Sequence, residues 1–196
     1  MSSSLREKKL AKKKADILRA ASSIIAEKGY ERTTMEEVAA QLLMTKGSMY
    51  YYFKSKEDLL FECHMMVVEP SIEMIKRIRE SDLPTEEKIR AHMKEYILFQ
   101  ISEKAMFTVA GKLDQTFSET YLEQILKKRD EYNQIFDELI EEGVDKGVYR
   151  KLDVKMARIM ILSALNSIQL WYKPNGGRTP EQVAEIHADY LVRILM

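Results

Sequence analysis

The sequence predicts an all-α protein in two parts: a three-helix amino-terminal head built around a helix-turn-helix, and a larger helical bundle behind it. Three observations lead there. Glycine and proline are scarce, 7 and 4 in 196 residues. The strict polar–apolar alternation of a strand is nowhere sustained. Apolar residues instead recur three, four and seven apart, in blocks that open on capping residues.

The first helix carries Ile17, Leu18, Ala21, Ile24 and Ile25 on one stripe. Gly29 ends it at the position where a left-handed backbone suits glycine, and Tyr30 anchors the turn. Thr34 with Glu37 has the spacing of a capping box for the second helix, whose buried face is Met35, Val38, Ala39 and Leu42. After a short turn, Thr45 is the N-cap of a third helix running through Phe53. Met49 and Phe53, four apart, face inward and lock it to the first two. Ser55 with Asp58 opens the next helix.

That leaves Lys46, Gly47, Ser48, Tyr50 and Tyr51 facing outward. Gly47 has no side chain, so a partner can approach the helix closely. Thr45, Lys46 and Ser48 sit at a helix amino terminus, which favours anions and hydrogen-bond acceptors. Tyr50 and Tyr51 offer hydroxyls on rigid rings, suited to phosphate oxygens, and Lys54 and Lys56 add charge beyond the helix end. Three consecutive tyrosines could pack as a core, but successive helix residues point about 100° apart, so at least one faces out. This chemistry is that of a helix lying in a DNA major groove.

The run from Gly29-Tyr30 through Thr33-Thr34 and Val38-Ala39 to Thr45-Lys46-Gly47-Ser48-Met49-Tyr50-Tyr51-Tyr52-Phe53-Lys54-Ser55-Lys56-Glu57-Asp58-Leu59 resembles the DNA-binding head of TetR-family transcriptional regulators. The resemblance covers roughly residues 13 to 60 without gaps. It implies a homodimeric repressor with one head per subunit and a helical body that takes a small effector. Carried onto this chain, base reading falls to Thr45, Lys46, Gly47 and Ser48, and phosphate contact to Thr34, Tyr50, Tyr51 and Lys56. One departure is Leu43, where the family commonly has glycine in the turn. Either the turn takes another conformation, or Leu43 holds a positive φ at a strain of about 1 kcal/mol or more.

In the body, a long pattern from Glu57 to about Glu80 contains Pro70, which predicts a kink or break. Leu83-Pro84-Thr85 separates it from a helix with Ile89, Met93, Tyr96, Ile97 and Ile101, followed by a short one holding Met106, Phe107, Val109 and Leu113. A further helix is expected from about Ser118 to Glu142, with Gly143 and Gly147 bracketing its end. Asp153 caps a helix expected to reach Trp171, and Thr179-Pro180-Glu181-Gln182 opens the last one with proline at its first position and a capping box. The Asp153–Trp171 segment is apolar on more than one face. With Val183, Ile186, Tyr190, Leu191 and Ile194 it is a candidate four-helix dimer interface.

Twelve methionines suit either a malleable cavity or ordinary core filling. The candidate effector-binding set is Met65, Met66, Met93, Phe99, Met106, Phe107, Met160 and Trp171. The segment Leu170–Glu181 resembles the corresponding loop of TetR regulators of fatty-acid and sterol catabolism. That resemblance implies a hydrophobic effector, an acyl-CoA or fatty-acid-like molecule.

Net charge is zero, but residues 1–60 hold 12 Lys or Arg against 8 Asp or Glu. Arg6, Lys8, Lys9, Lys12, Lys13 and Lys14 crowd the start, either as a phosphate-seeking arm or as a solvated, disordered tail. Cys63 is the single cysteine, so no internal disulfide or thiolate metal cage is expected. His64, His92 and His187 have no metal-ligand spacing, and no nucleophile elbow or phosphate loop occurs. Neither enzyme nor cofactor is expected. No apolar run is long enough for a membrane span, and no secretion signal is seen, which places the chain in the cytoplasm. The domains expected are a head with its basic arm at 1–56 and an effector and dimerisation bundle at 57–196. The expected function is a repressor of an inverted-repeat operator on double-stranded DNA, released by its effector. The rival is a helical ligand-binding or adaptor module that does not meet DNA.

Overall fold

The computed structural model describes residues 5–112 and 117–196. Among them lie ten helices and no strand: α1 (Leu5–Lys28), α2 (Met35–Gln41), α3 (Lys46–Tyr52), α4 (Lys56–Arg79), α5 (Thr85–Ser102), α6 (Lys104–Ala110), α7 (Glu119–Asp145), α8 (Val154–Asn166), α9 (Ile168–Trp171) and α10 (Pro180–Val192). The chain divides into two compact units, Met1–Val67 with Ala105–Ile125 and Val68–Lys104 with Leu126–Met196. The helices α4 and α7 each contribute residues to both units.

In the first unit the apolar stripe of α1 is fully buried as expected, against Met35, Val38 and Ala39 of α2, Met49 and Phe53 at α3, and Leu59, Leu60 and Cys63 of α4. Tyr30, Leu42 and Tyr52 pack on the edge of this core. Gly29 takes φ 85 and stops α1. The helix starts much earlier than its apolar stripe, so the basic segment from Leu5 to Lys14 is helical and not a loose tail.

In the second unit α5 packs most extensively on α10. Arg90 pairs with Glu185 and Asp189 across that contact, and Lys94 reaches Glu185 at 2.5 Å. The Thr179–Gln182 capping box forms in full, with Pro180 in the first turn of α10. Asp153 caps α8 by accepting from the Met156 N–H at 2.9 Å.

Three expectations are corrected. The helix α4 is not broken at Pro70, which lies on an exposed face and leaves the Met66 carbonyl without its helical N–H donor. The helix α7 continues through Gly143, which is there for close approach: a Cβ on it would lie 2.1 Å from the Tyr149 ring. Only Gly147, at φ 69, has the left-handed backbone of a helix end. The segment after Asp153 divides at Ser167 into α8 and α9, where the Ser167 hydroxyl donates to the Ala164 carbonyl at 2.8 Å. Leu113, expected in the short helix α6, lies outside the described residues.

Candidate nucleic-acid interface

Thr45 fixes the start of α3. Its hydroxyl accepts from the Ser48 backbone N–H and donates to the Ser48 side chain, both at 3.1 Å. The backbone there is extended, at φ −77 and ψ 156, so the chain turns sharply into the helix. Thr34 does the same for α2, accepting from the Glu37 N–H at 3.1 Å. The expected reciprocal half of that capping box is replaced: the Glu37 carboxylate pairs with Lys28 at the end of α1. Glu37 thereby ties two helices together instead of closing its own cap.

The turn between α2 and α3 keeps the conformation that glycine would favour. Leu43 stands at φ 53 and is 97% exposed. Its N–H donates to the Ala40 carbonyl at 3.1 Å and that of Met44 to Ala39 at 2.8 Å, so the tight turn is retained and Leu43 bears the strain.

Seen from α3 outward, Thr45, Lys46, Gly47, Ser48, Tyr50 and Tyr51 are all exposed, with Tyr51 at 71%. Lys46 reaches Glu36 at 2.6 Å and lies 5.8 Å from the centre of the Tyr50 ring. The hydrogen bond to Glu36 raises the Lys46 pKa and lowers that of Glu36, so the pair is held charged on the face beside Gly47. Gly47 is not required by its own fold: its φ is not positive, and a Cβ there would meet nothing within 4 Å. Tyr51 and Tyr52 meet edge to face at 5.2 Å. Thr34 and Lys54 are exposed. Lys56 is turned inward: its ammonium donates to the Tyr30 carbonyl at 2.9 Å and lies 4.0 Å from that ring's centre. No local sequence pattern announces a contact across 26 residues.

The candidate effector residues are divided between the two units. Met65, Met106 and Phe107 are buried and Met66 half-buried in the first unit, while Met93 is buried and Phe99 half-buried in the second. Met160 is half exposed on α8, outside any interior wall. Trp171 stacks on His187 at 5.3 Å and rims a surface concavity of about 460 Å³ with Tyr172, Lys173, Arg178 and Val183.

A buried polar cluster that the sequence did not announce lies in the second unit. His92 Nε2 is 2.7 Å from the Tyr132 hydroxyl, Tyr96 donates to Asn166 at 3.1 Å, and Gln100 donates to the same oxygen at 3.4 Å. His92 Nδ1 and Gln100 Oε1 are buried without a hydrogen-bond partner among the described residues. The only sequence signal is the spacing of His92, Tyr96 and Gln100, four apart along one face of α5. No group of three metal-binding side chains and no helix long and apolar enough to cross a membrane occurs among the described residues.

Comparison with known proteins places this geometry. A family model described as bacterial regulatory proteins, tetR family, matches residues 17–63, and one described as tetracyclin repressor-like, C-terminal domain, matches 82–195. The HTH-type transcriptional repressor KstR2 of Mycolicibacterium smegmatis is 25% identical over 94% of this chain and 90% of its own length. The fatty acid metabolism regulator protein of Bacillus subtilis is 29% identical over 79% of this chain and 81% of its own. The crystal structure of AibR in complex with isovaleryl coenzyme A and operator DNA superposes with a TM-score of 0.79, at 27% identity, over 93% of this chain and 97% of that one. With both parts of the chain matched by family models, and a helix-turn-helix whose outer face is exposed, the chain belongs to the tetR family of bacterial regulatory proteins and is a DNA-binding transcription regulator.

Proposed function

We propose that the protein is a homodimeric repressor that holds an inverted-repeat operator and releases it on binding an acyl-CoA or a fatty-acid-like molecule. Gly47 carries the DNA half of this reading. Glycine costs up to roughly 0.5–1 kcal/mol against alanine within a helix, an upper bound for Gly47 in the first turn of α3. Nothing among the described residues recovers that cost, since a methyl group would fit freely. The gain therefore lies outside the chain, in close approach of a partner to the face carrying Lys46, Ser48 and Tyr51. Base reading falls to Thr45, Lys46, Gly47 and Ser48, and phosphate contact to Thr34, Tyr50, Tyr51 and Lys54. Lys56 joins them only by leaving Tyr30.

Support for the effector class comes from the fatty acid regulator and from the acyl-CoA named in the AibR complex. In this chain the second unit offers a matching polar end. A thioester or carboxyl group meets the hydrogen-bonding atoms of His92, Tyr96 and Gln100, and Met93 and Phe99 on the same helix meet its apolar portion. Trp171 and its concavity lie at the surface for the larger remainder. Binding favours conformers whose heads no longer match the two half-sites, so operator affinity falls by linkage.

Dimerisation rests on Met156, Ile159 and Met160 of α8 and Tyr190 of α10, large apolar groups left exposed in the single chain. The experiment is selection of bound duplexes from a random pool at near-physiological salt, with and without a long-chain acyl-CoA. Enrichment of an inverted repeat, abolished when acyl-CoA is added, is the expected result. A folded protein that enriches nothing refutes the operator reading, and enrichment indifferent to acyl-CoA and to free fatty acid refutes the effector.

A further inference from the structure

We propose that Glu36 is a specificity-determining residue of the DNA face: it holds Lys46 toward the bases and away from phosphate, so that the head tells its operator from other duplexes. The inference rests on the DNA-binding reading and names a residue that makes it selective.

A carboxylate is a liability on a surface that meets a polyanion. Glu36 lies in the first turn of α2, two residues after Thr34, and is exposed. Its neighbour Glu37 is half-buried and serves the fold, pairing with Lys28 at the end of α1. Glu36 turns instead across the helix-turn-helix and meets Lys46 of α3 at 2.6 Å. The two side chains are 51% and 63% exposed, and an ion pair so open to water contributes little to stability. A fixed negative charge here also repels the phosphates of every duplex alike, whatever its sequence. The return for that repulsion therefore lies in what the carboxylate does to Lys46.

Lys46 is held from two sides. It donates to the Glu36 carboxylate from α2, and the centre of the Tyr50 ring, one turn further along α3, lies 5.8 Å from its ammonium. Gly47 places no side chain beside the pair. The same hydrogen bond keeps Glu36 ionised by lowering its pKa. An ammonium has three N–H donors. With one given to Glu36, two remain, the number that guanine O6 and N7 accept in the major groove. Without Glu36, the flexible four-carbon stem lets the charge swing to a phosphate, where it is neutralised on any sequence. Lys46 then adds affinity and loses information. Glu36 is thus a positioning residue that acts through Lys46. An acid in the first turn also complements the helix dipole, but that role alone moves stability and not sequence preference.

The test begins with pool selection by the full chain and by Lys46→Gln, which marks the base pair that Lys46 reads as the position where preference relaxes. Anisotropy across a salt series then gives affinities for the selected duplex, for one with that pair changed in both half-sites, and for a shuffled duplex. The proteins compared are the parent, Glu36→Gln, Lys46→Gln and the double variant. Glu36→Gln is expected to lower discrimination between the first two duplexes by about fivefold or more, the lower end of what a bidentate base contact supplies. It is also expected to tighten binding to the shuffled duplex and to steepen the plot of log affinity against log salt by about 0.9 per subunit, at an unchanged thermal midpoint. In the Lys46→Gln background, Glu36→Gln should leave discrimination where it was. Undiminished discrimination by Glu36→Gln overturns the proposal and leaves the DNA reading standing. Equal weakening on all three duplexes with a lower thermal midpoint overturns it in favour of a structural role. An equal loss of discrimination with and without Lys46 overturns the positioning, because Glu36 would then be reading a base itself. A parent that does not distinguish the selected from the shuffled duplex overturns the DNA reading.

Discussion

Leu43 and Gly47 lie four residues apart and have each other's expected character. At φ 53 Leu43 occupies backbone that suits glycine, and its side chain touches almost nothing. Gly47 occupies ordinary helix that suits alanine. Leu43→Gly is expected to raise stability by about 0.5–1 kcal/mol, since relieving the left-handed strain outweighs the added freedom of the unfolded chain. Urea midpoints check it, and a fall would mean that the leucine side chain is held after all. Gly47→Ala is expected to raise stability, by at most about 0.5–1 kcal/mol, while weakening operator binding. Opposite signs in the two assays are the signature of a glycine kept for its partner. If binding is unchanged, the close approach does not occur at this position.

At the scale of elements, what could be read from sequence was what neighbours in sequence decide. Thr45 over Ser48, Asp153 over Met156, and Thr179 over Gln182 are contacts three residues apart, and all form. Thr34 caps α2 as well, but Glu37 forsakes its own cap for Lys28, nine residues away. Gly143 misleads for the same reason. Its absent side chain is claimed by Tyr149, which folds back on α7, so a glycine that looks like a terminator is a packing residue. Gly143→Ala is expected to cost about 1–3 kcal/mol by overpacking, with the Tyr149 ring displaced. A Gly143→Ala variant as stable as the parent in thermal unfolding would show that the ring yields freely. The scattered methionines were least legible, because a thioether in a core and one on a cavity wall look alike in sequence.

For the molecule as a whole, two tests act on its second unit. Burial lowers the His92 pKa from 6.5 to about 3, so the folded protein keeps this imidazole neutral. Between those values the unfolded chain binds a proton that the folded one refuses. Stability from this group is therefore full above pH 6.5 and falls as pH drops toward 3, by up to about 1.4 kcal/mol per pH unit. Thermal midpoints from pH 7.5 to 4 should fall more steeply for the parent than for His92→Asn, and parallel profiles would rule the histidine out as the cause. Met160→Glu, at a half-exposed position of α8, is expected to shift the protein from dimer to monomer in light scattering at micromolar concentration while leaving the fold intact. A parent that is itself monomeric sinks the interface.

The continuity of α4 and α7 has a consequence for how the protein comes apart. The boundary between the two compact units crosses α4 at Val67–Val68 and α7 at Ile125–Leu126. To melt one unit and spare the other, both helices must be severed in their interiors, leaving new helix ends with uncapped backbone groups. In α4 one of those groups is already surrendered, because Pro70 has no N–H to offer the carbonyl of Met66, one residue short of the boundary. The cut through α7 has no such concession. Heat and denaturant are therefore expected to unfold the two units in one cooperative event, with the turn before Pro70 the first place to fray.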